Sequence, residues 1–357
     1  MKVFKVLPSA FLVFIIVLLV FVKSIFFIAI QNDFFSIGLG GGNDAEYYND
    51  YALGYADFAV NIWPVILRYL NDHGLYSRTI ISYLLFFISL FLIPSLINRL
   101  AGIRFKENQK NYLYIIFLCL IYPTIFFYTF DIYRDVFMVF SFLVGCLVVK
   151  RCLNSSSYMI FALFFIFSLI TGFFLLGLRP YLGYAFLLAL FIWKIRFTKR
   201  RLFFLAILYF SALFFVNYLG YLDFLTDYRS GFEEVGGSST LGLDFSNPIM
   251  FIPNFILSVL GQLFGLYVTN PLAIILFLVE TVPFFFMLVY VIKNIKLADN
   301  FVRFLIIFFV VYGSVWLIGN DNLGTAVRLR IYNYLAIYIS FFYILNLKEK
   351  SLKKHTW

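Results

Sequence analysis

Histidine is nearly missing from this chain: His73 and His355 are the only two in 357 residues. Cysteine is scarce as well, and Cys119, Cys146 and Cys152 lie in or beside apolar runs without the spacing of a metal or redox site. These shortages argue against a zinc centre and against thiol chemistry, so no metal and no cofactor are expected. No glycine-rich loop precedes a Lys-Ser or Lys-Thr pair, and no serine or cysteine has a recognisable base partner. Nucleotide cradling and triad hydrolysis are therefore not anticipated. Charge is the deepest shortage. Only 13% of residues are Asp, Glu, Lys or Arg, about half of what a soluble domain carries. No polar stretch is long enough to fold as a soluble domain by itself.

What fills the chain is apolar. Residues of hydrophobic type make up 63%, fifty of them phenylalanine, and mean hydropathy is +0.94. The expected fold class is all-α, a polytopic integral membrane protein of about ten transmembrane helices forming a single transmembrane domain over 1–357. Spans are expected near 8–31, 79–97, 112–129, 136–149, 157–177, 182–193, 202–220, 272–292, 301–318 and 331–346. The first is too long for a signal-peptide core and reads as an uncleaved anchor. Two apolar stretches, 57–70 and 249–268, are interrupted by Pro64, Pro253 and glycines, and read as re-entrant or interfacial helices.

The formal charge of +10 does not imply a nucleic-acid partner, because the basic residues fall in short clusters between apolar runs. With ten spans both termini share a side, and that side collects twenty of the twenty-eight basic residues, from Lys2 and Lys5 to Lys353 and Lys354. This makes it cytoplasmic. The other side holds Arg68, Arg78, Arg134, Arg179, Arg229, Arg328 and Arg330, all arginine, with fourteen of the eighteen acids; of the basic residues Lys23 alone falls inside a span. Arginine differs from lysine in presenting a planar fork suited to phosphate and carboxylate. Loop ion pairs account for any one of these arginines as well as a ligand does, whereas all seven together favour a site.

Four segments concentrate this chemistry. GGNDAEYYNDYALGYA, 41–56, offers Asp44, Glu46 and Asp50 as carboxylates, and Tyr47, Tyr48 and Tyr51 as rings for sugar faces. Asn43 or Asp44 would cap a helix there. The 130–135 hairpin places Asp131, Arg134 and Asp135 at the edge of the hydrocarbon, where charge needs a partner or a function. Arg179 in GLRPYLGY, 177–184, stands between two spans in front of Pro180. GNDNLGTAVRLRIYNYL, 319–335, sets Arg328 and Arg330 at the mouth of the last span, on different helix faces. The outer loop 221–248, with Arg229, Glu233, Glu234 and GGSST, reads equally as a lid or as a disordered loop.

In this order the segments resemble the Wzy-type O-antigen or capsular repeat-unit polymerases. The resemblance is carried by NDAEYY at 43–48, the Pro123–Asp135 hairpin, LRPY at 178–181 and GTAVRLR at 324–330. It implies a glycan on undecaprenyl diphosphate as substrate, polymerised at the periplasmic face of a bacterial inner membrane, with a chain-length regulator protein as a possible partner beside the membrane lipid. Asp44, Glu46 and Asp135 are then the expected catalytic carboxylates. Arg134, Arg179, Arg328 and Arg330 are the expected diphosphate ligands, and Tyr47, Tyr48 and Tyr51 the sugar contacts. The alternative is a transferase that adds one sugar from a polyprenyl monophosphate donor. A lipid-linked oligosaccharide flippase ranks lower, because only Lys23 and Glu280 lie deep in spans and no two halves repeat.

Overall fold

A computed structural model describes residues 8–34, 42–234, 239–268 and 270–354. Outside this set, in whole or by side chain, fall Lys2, Lys5, Asn43, Lys199, Glu233, Glu234, most of GGSST, Lys353, Lys354 and His355. Every regular element among the described residues is helical, and the single bridge pairs Thr240 with Asn322. Seven helices are long and apolar enough to cross a bilayer, and two shorter apolar helices, Pro180–Ile192 and Phe251–Leu263, accompany them. The protein is therefore polytopic.

The chain forms two compact units, Met1–Gly183 and Tyr184–Trp357. The first opens with α1 (Ser9–Gln31), then the short α2 (Gly42–Leu53) and α3 (Ile62–Asp72). Helix α4 (Arg78–Phe87) runs through a π-turn, Ile88–Leu92, into α5 (Ile93–Ala101), making one apolar rod of 24 residues. The apolar run 112–129 is not one helix. It divides into α6 (Gln109–Leu120) and α7 (Pro123–Phe127), because Tyr122, preceding a proline, is driven to extended backbone at ψ 103°. Helices α8 (Arg134–Leu153) and α9 (Tyr158–Leu178) pack against each other and finish the unit, followed by α10 (Pro180–Ile192).

Hydrogen bonds sort this unit into two ends. At one, Trp63 Nε1 donates to Ile132 O at 2.8 Å, Arg134 Nη1 to Leu178 O at 3.0 Å and Gln31 Nε2 to Phe130 O at 2.7 Å. This end joins the C-termini of α1 and α9 to the N-termini of α3 and α8. At the other, Lys150 Nζ donates to the last carbonyls of α5, Arg99 O at 3.0 Å and Leu100 O at 2.8 Å. A cation at a helix C-terminus meets the negative end of the dipole. Arg104, Lys106, Lys110 and Arg151 lie in or beside the same connections.

The second unit holds α11 (Lys199–Tyr218), α12 (Asp223–Glu234) and α13 (Phe251–Ser258), the last extended by a π-turn, Val259–Leu263. Helix α14 (Pro271–Leu276) passes through a further π-turn, Phe277–Thr281, into α15 (Val282–Lys293). Then come α16 (Asn300–Gly319) and α17 (Leu323–Lys354). Its core is aromatic: Trp316 Nε1 donates to Asn333 Oδ1 at 2.9 Å, and Phe284 stacks on Tyr334 at 4.0 Å. Helix α16 is a core rod and α11 a peripheral one, with 61% and 6% of their apolar windows buried.

The two interrupted stretches are short helices. Pro64 sits in the first turn of α3 and Pro253 in the first turn of α13, where a missing N–H costs nothing. The last helix begins at Leu323 rather than near 331, so Arg328 and Arg330 lie in its second and third turns and not at its mouth.

Candidate functional site

In the first unit, Asp44, Tyr48, Arg134, Asp135 and Arg179 converge. Arg179 is the single extended residue between α9 and α10, at φ −155° and ψ 114°, with Pro180 supplying the first helical φ of α10. The elbow is tight: a Cβ on Gly183 would run into the Leu176 backbone. This geometry turns the Arg179 side chain inward, where the residue is 6% exposed and its Nη2 lies 3.6 Å from Asp135 Oδ1. Asp135 is 2% exposed in the first turn of α8, whose free N–H groups favour a carboxylate. Arg134, beside it, reaches across to the last carbonyl of α9.

The short helices roof this group. Trp63 anchors α3 to the residues before α8 and lies 4.8 Å from the Phe137 ring. Tyr47 stitches the 54–61 loop to α2: its hydroxyl donates to Phe58 O and accepts from Val60 N at 3.1 Å. Tyr51 carries the Arg68 guanidinium 5.6 Å above its ring. Tyr48 is buried. Burial raises the pKa of its phenol; the Arg134 guanidinium pulls it down, and the Asp44 and Asp135 carboxylates push it up again. Tyr48 thus remains a protonated donor among two acids and an arginine.

The acids of α2 divide by face. Asp44, half-buried in the first turn, points with Tyr48 toward the arginines. Glu46, exposed, and Asp50 act on the other group, Tyr76, Arg78 and Asp131. There Arg78 grips Asp131 through both carboxylate oxygens, at 2.8 and 2.5 Å, and Tyr76 donates to Asn49 Oδ1 at 2.9 Å. Burial lifts the Tyr76 phenol to about 12; Arg78 opposes this, while Asp131 and Asp50 add to it.

Arg328 and Arg330 belong to the second unit. Arg330 is buried, with Nη2 3.0 Å from Glu280 Oε2 and its guanidinium 5.4 Å from the Tyr334 ring. Gly265 permits that approach: at φ +60° it adopts left-handed backbone, and a Cβ would stand 2.8 Å from Arg330 Nη1. Arg328 is half-buried on the neighbouring face of α17. The stretch 221–248, expected as a lid or a disordered loop, instead carries α12, and from that helix Arg229 donates to Leu243 O, Leu317 O, Ile318 O and Asn320 O, and pairs with Asp321. Nothing in the sequence links Arg229 to Asp321, Glu280 to Arg330 or Trp63 to Ile132. The only prior signal was the expense of charge in apolar surroundings. Among the described residues, no three His, Cys, Asp or Glu side chains are grouped to hold a metal ion.

No protein-family model, no curated protein and no solved structure matches this chain.

Proposed function

We propose that this protein is a glycosyltransferase of the repeat-unit polymerase type, acting on undecaprenyl-diphosphate-linked glycans at the periplasmic face of a bacterial inner membrane. One observation carries the reading: two arginines, two aspartates and a protonated tyrosine converge at the end of the first unit opposite its basic connections. In this scheme Arg134 and Arg179 hold the diphosphate of the donor lipid. Asp44 takes the proton from an acceptor sugar hydroxyl. The freed oxygen attacks the anomeric carbon, the bond to the diphosphate breaks, and the guanidinium charge stabilises the departing anion. Asp135 orients Arg179, and Tyr48 donates a hydrogen bond within the site. Tyr47 and Tyr51 border the sugar path. The basic connections would face the cytoplasm.

Arg179→Lys keeps the charge and discards the fork, and Asp44→Asn removes the base. Each is expected to collapse the surface-glycan ladder to a lipid core bearing one repeat unit, with the protein still present in the membrane. Full-length ladders in both variants would sink the proposal. Full length with one branch sugar missing in a deletion strain would assign the chain to single-sugar transfer instead.

A further inference from the structure

The second unit contains a cavity of about 440 Å³ where α10 hands over to α11. Lys194, Arg196 and Arg201 line one part of it, and Ile195, Phe204, Leu205 and Leu208 the rest. We infer that this cavity is a binding site for an anionic phospholipid, with the headgroup phosphate on the three cations and an acyl chain along α11.

Three independent features support it. First, the cations are exposed, and none forms an ion pair among the described residues, although acids elsewhere in the unit capture Arg229 and Arg330. Second, Arg200 and Arg201 sit in the first turn of α11, where positive charge opposes the helix dipole and costs stability. A phosphate at that position reverses the penalty, since it meets both the guanidinium groups and the unsatisfied first-turn N–H groups. Thr198 already accepts from Arg201 N at 3.3 Å, so the turn is formed in advance.

The third feature separates a lipid from a free anion. Inorganic phosphate needs no apolar wall, yet four of the seven lining side chains are apolar, and three of these continue along a helix whose apolar window is only 6% buried. A charged mouth on a greasy wall fits an amphiphile. Trp193, with Lys194 Nζ 5.7 Å from its ring, adds the aromatic residue typical of the membrane–water boundary. Basic pockets beside membrane-crossing helices recognise anionic headgroups.

The test uses the full chain in detergent, scored by thermal unfolding and by lipid retained in native mass spectra. The additions are phosphatidylglycerol, phosphatidylcholine or inorganic phosphate. Phosphatidylglycerol is expected to raise the unfolding temperature and remain bound, and the other two to do neither. Arg196→Gln and Arg201→Gln should each lower its affinity about five-fold, and together about twenty-five-fold. High salt should weaken binding to the unaltered protein, a readout that needs no variant. Equal retention of phosphatidylcholine, or undiminished phosphatidylglycerol binding by the double variant, would overturn the site. Stabilisation by inorganic phosphate alone would overturn its assignment to a lipid.

Discussion

Arg179, at the break between α9 and α10, and Arg229, on α12, are both buried arginines paired with an aspartate, yet they are built differently. Arg229 spends its fork on the fold. Four backbone carbonyls accept from it, three of them in the last turn of α16 and just beyond, and Asp321 accepts as well while also accepting from Gly242 N at 3.0 Å. The Phe245 ring lies 4.4 Å from its guanidinium carbon. Arg179 faces Asp135 at 3.6 Å, beyond hydrogen-bond reach, across the junction of two helices. The lesson is that burial and pairing do not identify a functional arginine. What separates the two is whether the donors close the protein's own helix ends or gather with other ionisable side chains.

The sharpest way to break this comparison is at Arg229. Arg229→Ala strands Asp321 together with Ile318 O and Leu243 O, and is expected to destabilise the protein by about 3–5 kcal/mol, read as lost thermal stability in detergent. A double change to apolar residues at Arg229 and Asp321 should not rescue it fully: Ser258 and Gln262 still donate to Leu317 O and Asn320 O, but Leu243 O and Ile318 O lose the Arg229 donor. The matching double change at Arg179 and Asp135 should retain the fold and abolish polymer. If both doubles unfold alike, the distinction fails.

Glu280→Gln comes next. The amide still accepts from Arg330 but the charge is gone, for a loss of about 2 kcal/mol measured by the same melt.

The smallest effect concerns Tyr76. Its phenol should titrate at about 12 in the folded protein, followed by ultraviolet absorbance. An ordinary tyrosine titrates near 10. Because the folded value is raised, its contribution is complete below pH 10 and fades between 10 and 12. Tyr76→Phe removes that window and costs about 1 kcal/mol through the lost bond to Asn49.

Long apolar runs were legible in the sequence because lipid solvation demands them: the expected 8–31 and 157–177 correspond to Ser9–Gln31 and Tyr158–Leu178. The start of α17 was not, since Gly324, Thr325 and the arginines look like loop until tertiary partners such as Glu280 offset their cost. The three π-turns were equally invisible, because each depends on packing that inserts one residue into an apolar rod. For the candidate site, residue types and their order along the chain were readable. Which face of α2 each acid occupies was not, because that depends on where Trp63 and Tyr47 fasten the short helices.

The elbow at Gly183 constrains descent as well as shape. Any side chain there would pry α9 from α10 and swing Arg179 away from Asp135. Diverged kin are therefore expected to keep an Arg-Pro pair followed three residues later by glycine, even where the surrounding apolar letters have been thoroughly reshuffled. That five-residue signature is a better probe for them than hydropathy, which any polytopic chain would satisfy.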